Sequence, residues 1–384
     1  MVRTYSKTII FVITDYGSFN NFLAEIAIEL SRKNYKIHIF TGKEKVIKVE
    51  DKYNYDEYGI CFHFFKFPRS FNLFNHFKVS TEIQRSIKEI NPDIVSIHFT
   101  TGIFTTILNG KLPYRTIGTF HGLGYPTIEN FIKKQIFKVV EIFSTSRLDQ
   151  VWVLNKSDQN LLNTMFDNVF LLPTNGLGCD LTKFNPENYR SSKGSLREQY
   201  NIKESDIVIS FTGRYVNFKG YDIVIKTFRY LENNFKNIKL VTMGGPDSIH
   251  PTGLNREEEE YLTNNPNIID VGFTDNVQEF LAFTNIFFFP SKKEGVPVCI
   301  VEALAMVIPV ITFDARGCND LVQDNVTGIL MPLDAQPQDF AEKISELLKD
   351  ETILSEFRRN IVAIRDQLSR KHFLEHQLNY FESL

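Results

Sequence analysis

Near the start of the chain, "TIIFVIT" (8–14), "NNFLAEIAIELSRKN" (20–34) and "KIHIFTG" (36–42) follow one another. The first and third are short apolar runs rich in β-branched residues. The second carries apolar residues at helical spacing and ends on a polar stop. Strands that are apolar throughout, joined through a helix, predict a parallel sheet covered by helices on both faces. The rhythm continues with "DIVSIHF" (93–99), "RTIGTFHG" (115–122) and "QVWVLN" (150–155).

A second series begins with "DIVISFTG" (206–213) and runs through "IKLVTMGG" (238–245), "NIIDVGF" (267–273), "IFFFPS" (286–291) and "IPVITFD" (308–314). Between the two lies a stretch rich in Gly, Pro, Asn and Ser at 171–195. The sequence therefore divides into two doubly wound, Rossmann-like α/β domains, over 1–175 and 176–360. A C-terminal helix over 361–384 is expected to pack back on the first domain. Two such domains are expected to face one another across a cleft, with ligands outside the carboxyl ends of their strands.

Composition narrows the class. With 43% hydrophobic and 23% charged residues, the chain of 384 residues reads as neither disordered nor membrane-spanning. The N-terminus enters a strand-like run with no small-residue cleavage site, so no signal peptide is expected. Four scattered cysteines without a CxxC pair argue against structural zinc and a disulfide framework, and fit a reducing cytosol. Residues 1–170 hold 21 Lys+Arg against 16 Asp+Glu, and the remainder 22 against 30, giving +5 and −8. A basic first half suits an anionic partner such as a membrane surface or a phosphorylated acceptor, although chance fluctuation gives the same split. No nucleic-acid partner is expected.

The chemistry is expected after the strands of the second series. In "GRYVNFKGYD" (213–222), Gly213 is read as a turn, Arg214 leaves the strand end, and Lys219 precedes Gly220 where a helix begins. Two cations beside a helix N-terminus suit a diphosphate. In "EGVPVCIVE" (294–302), Pro297 fits the first helical position, and the amides around Gly295 and Val296 offer a second anion site. Glu294 and Glu302 are then placed to accept hydrogen bonds from hydroxyls, Glu294 from a sugar and Glu302 from a ribose diol. Each residue alone reads equally as an ordinary surface charge or turn.

Taken together, "FTGRYVNFKG" (211–220) and the segment "GFTDNVQEFLAFTNIFFFPSKKEGVPVCIVEALAMVIPVITFDARGCNDLVQDNVTGILM" (272–331) resemble the retaining GT-B glycosyltransferases of family 4. These include the bacterial transferases for polysaccharides and lipid-linked oligosaccharides. "TNGLGCDLTKFNP" (174–186) resembles the family's interdomain segment, with Gly178-Cys179-Asp180 where Gly-Val-Asp is usual. "TFHGLGYP" (119–126) resembles the strand end that carries a histidine near the donor sugar, here His121.

The resemblance implies that Arg214 and Lys219 grip the donor diphosphate, that Glu294 touches the transferred sugar and that Glu302 holds the ribose. It further implies that Gly272 and Phe273 cradle the base, and that Gly17, in a glycine turn after the first strand, approaches the phosphates or the acceptor. No cofactor is implied beyond the nucleotide-sugar, a UDP-sugar, which is a substrate. No Asp-x-Asp occurs, so metal-free transfer is expected; the resemblance further implies retention and a saccharide acceptor that is lipid-linked. The mixed aromatic and basic segments at 62–78 and 130–143 are expected to dock such an acceptor, or the inner face of the plasma membrane. A UDP-sugar 2-epimerase on the same architecture and a non-catalytic nucleotide-sugar binder are the competing readings.

Overall fold

The computed structural model describes residues 5–43, 53–70, 72–173 and 175–384. Phe71 in the aromatic segment and Thr174 in the interdomain segment lie outside the described residues. The chain divides into two compact units, Met1–Pro173 with Leu374–Leu384, and Thr174–Phe373.

The first unit is built on seven strands: β1 (Thr8–Val12), β2 (Lys36–Thr41), β3 (Cys61–Phe64), β4 (Ile94–His98), β5 (Arg115–Phe120), β6 (Gln150–Val153) and β7 (Val169–Leu171). Their order is β3-β2-β1-β4-β5-β6-β7, and every neighbour pair is parallel. The second unit has six strands: β8 (Ile207–Tyr215), β9 (Ile238–Pro246), β10 (Ile268–Gly272), β11 (Ile286–Phe289), β12 (Val310–Phe313) and β13 (Gly328–Met331). These run β10-β9-β8-β11-β12-β13, again all parallel.

Central strands are buried on both faces, as their unbroken Ile, Val and Phe content requires. Ile9, Ile10, Phe11 and Val12 are buried in β1, and Ile286 through Phe289 in β11. Each such side chain contributes about 1.5–3 kcal/mol. The strands that the sequence did not announce are β3, β7 and β13, short and at or near a sheet edge.

In each sheet the strand order reverses once, between β1 and β4 and between β8 and β11. Loops leaving two adjacent strands diverge at such a point and leave a crevice at the carboxyl edge. Helix Arg370–Ser383 ends the chain. Its distal part packs on the first unit, Phe381 meeting Phe11 edge-on with ring centroids 5.6 Å apart.

Several sequence expectations shift. Gly213 does not turn the chain: β8 continues to Tyr215, with Gly213 opposite Gly244 in the ladder. A Cβ on Gly244 would lie 1.9 Å from the Gly213 carbonyl oxygen, so it is this contact that demands glycine. Pro297 caps helix Val298–Ala305 rather than opening it. Glu294 therefore lies in the preceding loop and only Glu302 is helical. Gly17 is buried in the first turn of helix Tyr16–Phe22, not in an open turn. Asp15 caps that helix, accepting from the Ser18 amide at 2.9 Å and its hydroxyl at 2.7 Å. In the 62–78 segment, Phe62 packs on Tyr16 and Phe19, Phe65 on Phe40, and Phe67 is buried. Those three serve the core, while Phe74 and Phe77 face outward.

Candidate active site

The switch point of the second sheet brings together the residues after β8 and those after β11. A single turn of 3-10 helix, Asn217–Lys219, follows β8 and ends at Gly220, whose φ is +77°. A Cβ there would sit 2.1 Å from the Pro290 carbonyl oxygen, so only glycine lets the two loops touch. Ser291 Oγ and the Lys292 amide both donate to the Phe218 carbonyl, at 3.2 and 3.3 Å, stitching the loops together.

Within this frame Lys219 Nζ donates to Glu294 Oε1 at 2.6 Å, and Ser291 Oγ donates to the same oxygen at 2.6 Å. Both bonds use one carboxylate oxygen, which leaves Oε2 able to accept from a hydroxyl. Glu294 is buried and Lys219 mostly so, with its ammonium 5.7 Å from the centre of the Phe289 ring. Gly317, at φ +80°, closes the far side: a Cβ there would lie 2.3 Å from the Gly295 carbonyl oxygen. Gly176, at φ +63°, allows the interdomain segment to reach Val296 in the same way.

Arg214 leaves the same sheet edge one residue before β8 ends. Its guanidinium is half exposed, pairs with Asp247 Oδ2 at 2.6 Å and lies over the Phe218 ring. The Ile249 amide, and then Arg214, hold the Asp247 carboxyl down at about 2. Only the guanidinium side of this pair is open to solvent; Asp247 is mostly covered and is also held by the Ile249 and His250 amides, so Arg214 can turn to a phosphate oxygen without leaving Asp247 unbonded.

Glu302 sits on helix Val298–Ala305, where burial pushes its carboxyl up to about 7 and Lys183 opposes the shift. Lys183 Nζ is itself held by the Asp275 carbonyl at 2.8 Å. Gly272 ends β10 with φ +72° and open space beside it. The next residue, Phe273, is 86% exposed, an aromatic face with no protein cover. Asp247, Ser291 and Lys183 belong to this constellation and were not read from the sequence.

In the first unit, His121 follows β5. Its Nε2 lies 3.2 Å from His98 Nδ1, and His98 Nε2 lies 3.1 Å from Ser96 Oγ. The imidazole stacks on Phe99 with centroids 4.3 Å apart, and its buried Nδ1 has no hydrogen-bond partner. Burial lowers its pKa to about 4 and lowers that of His98 as well, so both rings are neutral at physiological pH.

Two buried carboxylates hold the loop that follows. The Leu123 amide donates to Asp158 at 2.9 Å, and the Gly124 and Tyr125 amides donate to Glu141 at 2.8 and 3.2 Å. Thr100 Oγ1 completes the shell of Glu141 at 2.7 Å, and burial raises that carboxyl. Glu141 lies on helix Phe131–Thr145, whose first turns are turned outward. Phe131 and Ile132 are 72% and 70% exposed there, next to Lys133 and Lys138, and Phe74 on helix Leu73–Ile90 is 77% exposed. No helix among the described residues is long and apolar enough to cross a membrane.

Comparison with known proteins bears on the family and the fold. Residues 192–364 match the family model "Glycosyl transferases group 1", and residues 10–155 match "Glycosyl transferase 4-like". The chain is 25% identical over 331 residues to a capsular polysaccharide biosynthesis glycosyltransferase, CapM, of Staphylococcus aureus, covering 84% of this chain and 83% of that protein. It is 26% identical over 328 residues to the N,N'-diacetylbacillosaminyl-diphospho-undecaprenol alpha-1,3-N-acetylgalactosaminyltransferase of Campylobacter jejuni, covering 82% and 84%. Among solved structures, a glycosyltransferase from Rickettsia africae superposes with a TM-score of 0.75 at 19% identity, covering 99% of both chains. Anabaena HepE, solved with UDP and glucose, gives 0.73 at 16% identity, covering 98% of this chain and 100% of that one. The chain belongs to the group 1 glycosyltransferases and has their two-domain GT-B fold.

Proposed function

We propose that the protein moves a hexose or N-acetylhexosamine from a UDP-sugar to a lipid-linked saccharide, with retention and without a metal ion, in the assembly of a cell-surface polysaccharide such as capsule or O-antigen. The observation that carries this reading is the Lys219–Ser291–Glu294 cluster at the switch point of the second sheet, with Arg214 on the same edge.

In this reading Arg214 and Lys219 neutralise the diphosphate as its charge develops. Glu294 keeps the ammonium in place through Oε1 and accepts a sugar hydroxyl through Oε2. Glu302 takes the ribose diol, and Gly272 and Phe273 take the base. The amides near Gly295 and Val296 face the phosphates. The resemblance assigns His121 to the transferred sugar and Gly17 to the phosphates or the acceptor. The bond between the anomeric carbon and the diphosphate oxygen breaks. The acceptor oxygen bonds to that carbon on the same face, and its proton passes to the departing phosphate.

Support for the acceptor comes from two relatives. The Campylobacter enzyme is named for a diphospho-undecaprenol substrate. So is an Escherichia coli galactosyltransferase, named for UDP-Gal and a GlcNAc-diphosphoundecaprenol, 24% identical over 276 residues. The exposed apolar residues of helix Phe131–Thr145, flanked by lysines, suit a protein working at the inner face of the plasma membrane.

The test is a melting-temperature panel of UDP-, GDP-, ADP- and dTDP-sugars, followed by transfer assays on undecaprenyl-diphosphate saccharides in EDTA. A UDP-sugar should stabilise alone, because ligand binding adds RT ln(1 + [L]/Kd). Stabilisation by another base, or a strict need for Mg²⁺ or Mn²⁺, would overturn the donor or the metal-free part of the reading.

A further inference from the structure

A pocket of about 380 Å³ opens in the first unit, lined by Gln150, Trp152, Phe170, His376, Asn379 and Tyr380. Strand β6 supplies the first two, edge strand β7 supplies Phe170, and helix Arg370–Ser383 supplies the last three. Positions 376, 379 and 380 fall on one helical face because residues three and four apart are neighbours. The indole of Trp152 meets Tyr380 edge-on at 4.6 Å and His376 at 5.9 Å, and Phe170 stands 6.4 Å away, partly exposed.

Two properties narrow what could sit there. No Lys, Arg, Asp or Glu lines the pocket, and Arg115 acts on the Tyr380 hydroxyl from outside it, so the lining itself pairs with no phosphate, carboxylate or amine. Yet Gln150 Oε1 and His376 Nδ1 are buried without a hydrogen-bond partner. Trp152 Nε1 and Tyr380 Oη are buried without one as well, and a buried polar atom left unpaired costs about 1–3 kcal/mol, so a hydroxyl entering the pocket would find partners. Burial also lowers the His376 pKa, which keeps the ring neutral. Aromatic walls with uncharged polar atoms at their margin match a ring whose faces are C–H and whose edge is hydroxyl.

We propose that this pocket binds a neutral saccharide ring, with Trp152, Phe170 and Tyr380 against its C–H surface and Gln150 and His376 bonding its hydroxyls. None of these residues belongs to the donor constellation of the second unit. The pocket is therefore a holding site for glycan rather than a second donor site, and it needs no transfer reaction to be observed.

Trp152 is the only tryptophan in the chain, so its emission reports this pocket alone. Titrating the full-length protein with N-acetylglucosamine, galactose, N,N'-diacetylchitobiose and lactose should change that emission saturably for at least one sugar. Open-chain sorbitol should not. Gln150→Ala and His376→Ala should each weaken the apparent affinity about tenfold, the scale of one lost hydrogen bond. Phe170→Ser, at a partly exposed position that should leave folding intact, should weaken it too, with circular dichroism melts confirming that each variant is folded. Absence of any saturable change, or a change that survives all three substitutions, would show the pocket to be a hydrated gap. A silent transferase assay would leave this result untouched.

Discussion

Lys219 and Glu294 stand 75 positions apart in the chain, yet their side chains share a 2.6 Å ion pair, because β8 and β11 are neighbours at the point where the second sheet reverses. The pair is largely shielded from water, so Glu294 holds the ammonium in one place before any donor arrives. Preorganised charge of this kind costs no rearrangement when the leaving group develops its own.

Lys219→Ala should lower turnover at least ~10²-fold, the usual scale for losing one charge-stabilising group. Arg214→Ala should do the same. The two should differ in stability. Removing the shielded Lys219 leaves Glu294 without its cation, whereas Arg214 is half exposed and the Ile249 and His250 amides still hold Asp247 when it is gone, so its loss should lower the melting temperature less. Transfer assays and thermal melts on the two variants check both halves; near-normal turnover in both would remove the diphosphate assignment.

The strands that build this site, the loop glycine Gly220 and the residues Arg214, Lys219 and Glu294 were legible because strand runs and their flanking turns are local signals. Partner identity was not. Asp247 lies 33 positions from Arg214 and Ser291 lies 73 positions from the Phe218 carbonyl it binds, so only strand order brings them together. The same holds in the first unit, where Glu141 and Asp158 reach back to the Gly124 and Leu123 amides. Pro297 stands one position before the helix that the sequence predicts it to open, because helix boundaries are soft at that scale. Gly213 predicts a turn by propensity, but the β8–β9 ladder runs on through it to Tyr215, a matter of pairing that propensity does not carry.

Glu302 gives a pH signature. Its carboxyl is raised by burial from 4.5 to about 7, so the folded protein binds more protons than the unfolded chain between those values. Its contribution to stability is therefore greatest in acid and declines as pH rises from about 4.5 to about 7. Donor binding should run the opposite way. A ribose diol donates best to the ionised carboxylate, so the affinity for a UDP-sugar, whose diphosphate does not itself titrate there, should rise as pH passes through about 7. Calorimetry across that interval should show the rise in the parent protein and a flat response in Glu302→Gln.

Two glycines separate steric contact from backbone strain. Gly220→Ala must place a methyl 2.1 Å from the Pro290 carbonyl oxygen and hold φ at +77°, so the loops that carry Lys219 and Ser291 must part. Gly272→Ala meets open space at φ +72° and suffers only the left-handed backbone penalty of about 1–2 kcal/mol. Denaturant melts should therefore rank Gly220→Ala well below Gly272→Ala. Turnover should fall sharply in the first even at temperatures where it stays folded.

The outward face of helix Phe131–Thr145 yields the last prediction. Its apolar residues Phe131, Ile132 and Val139 are exposed beside Lys133 and Lys138, with Lys134 partly covered. If this face meets an anionic bilayer, sedimentation with phosphatidylglycerol vesicles should weaken as salt rises, since exposed charges are screened over about 10 Å at 0.1 M. Replacing the three lysines with Gln should remove up to about 1 kcal/mol of attraction per lysine. Phe131→Ser with Ile132→Ser should instead reduce the salt-resistant part of binding, because buried apolar area is not screened. UDP affinity should stay at the parent value in both variants, as the donor constellation lies in the other unit. Vesicle binding that is absent in the parent, or unchanged in both variants, would make these side chains a solvated face and favour an acceptor that is not held in a bilayer.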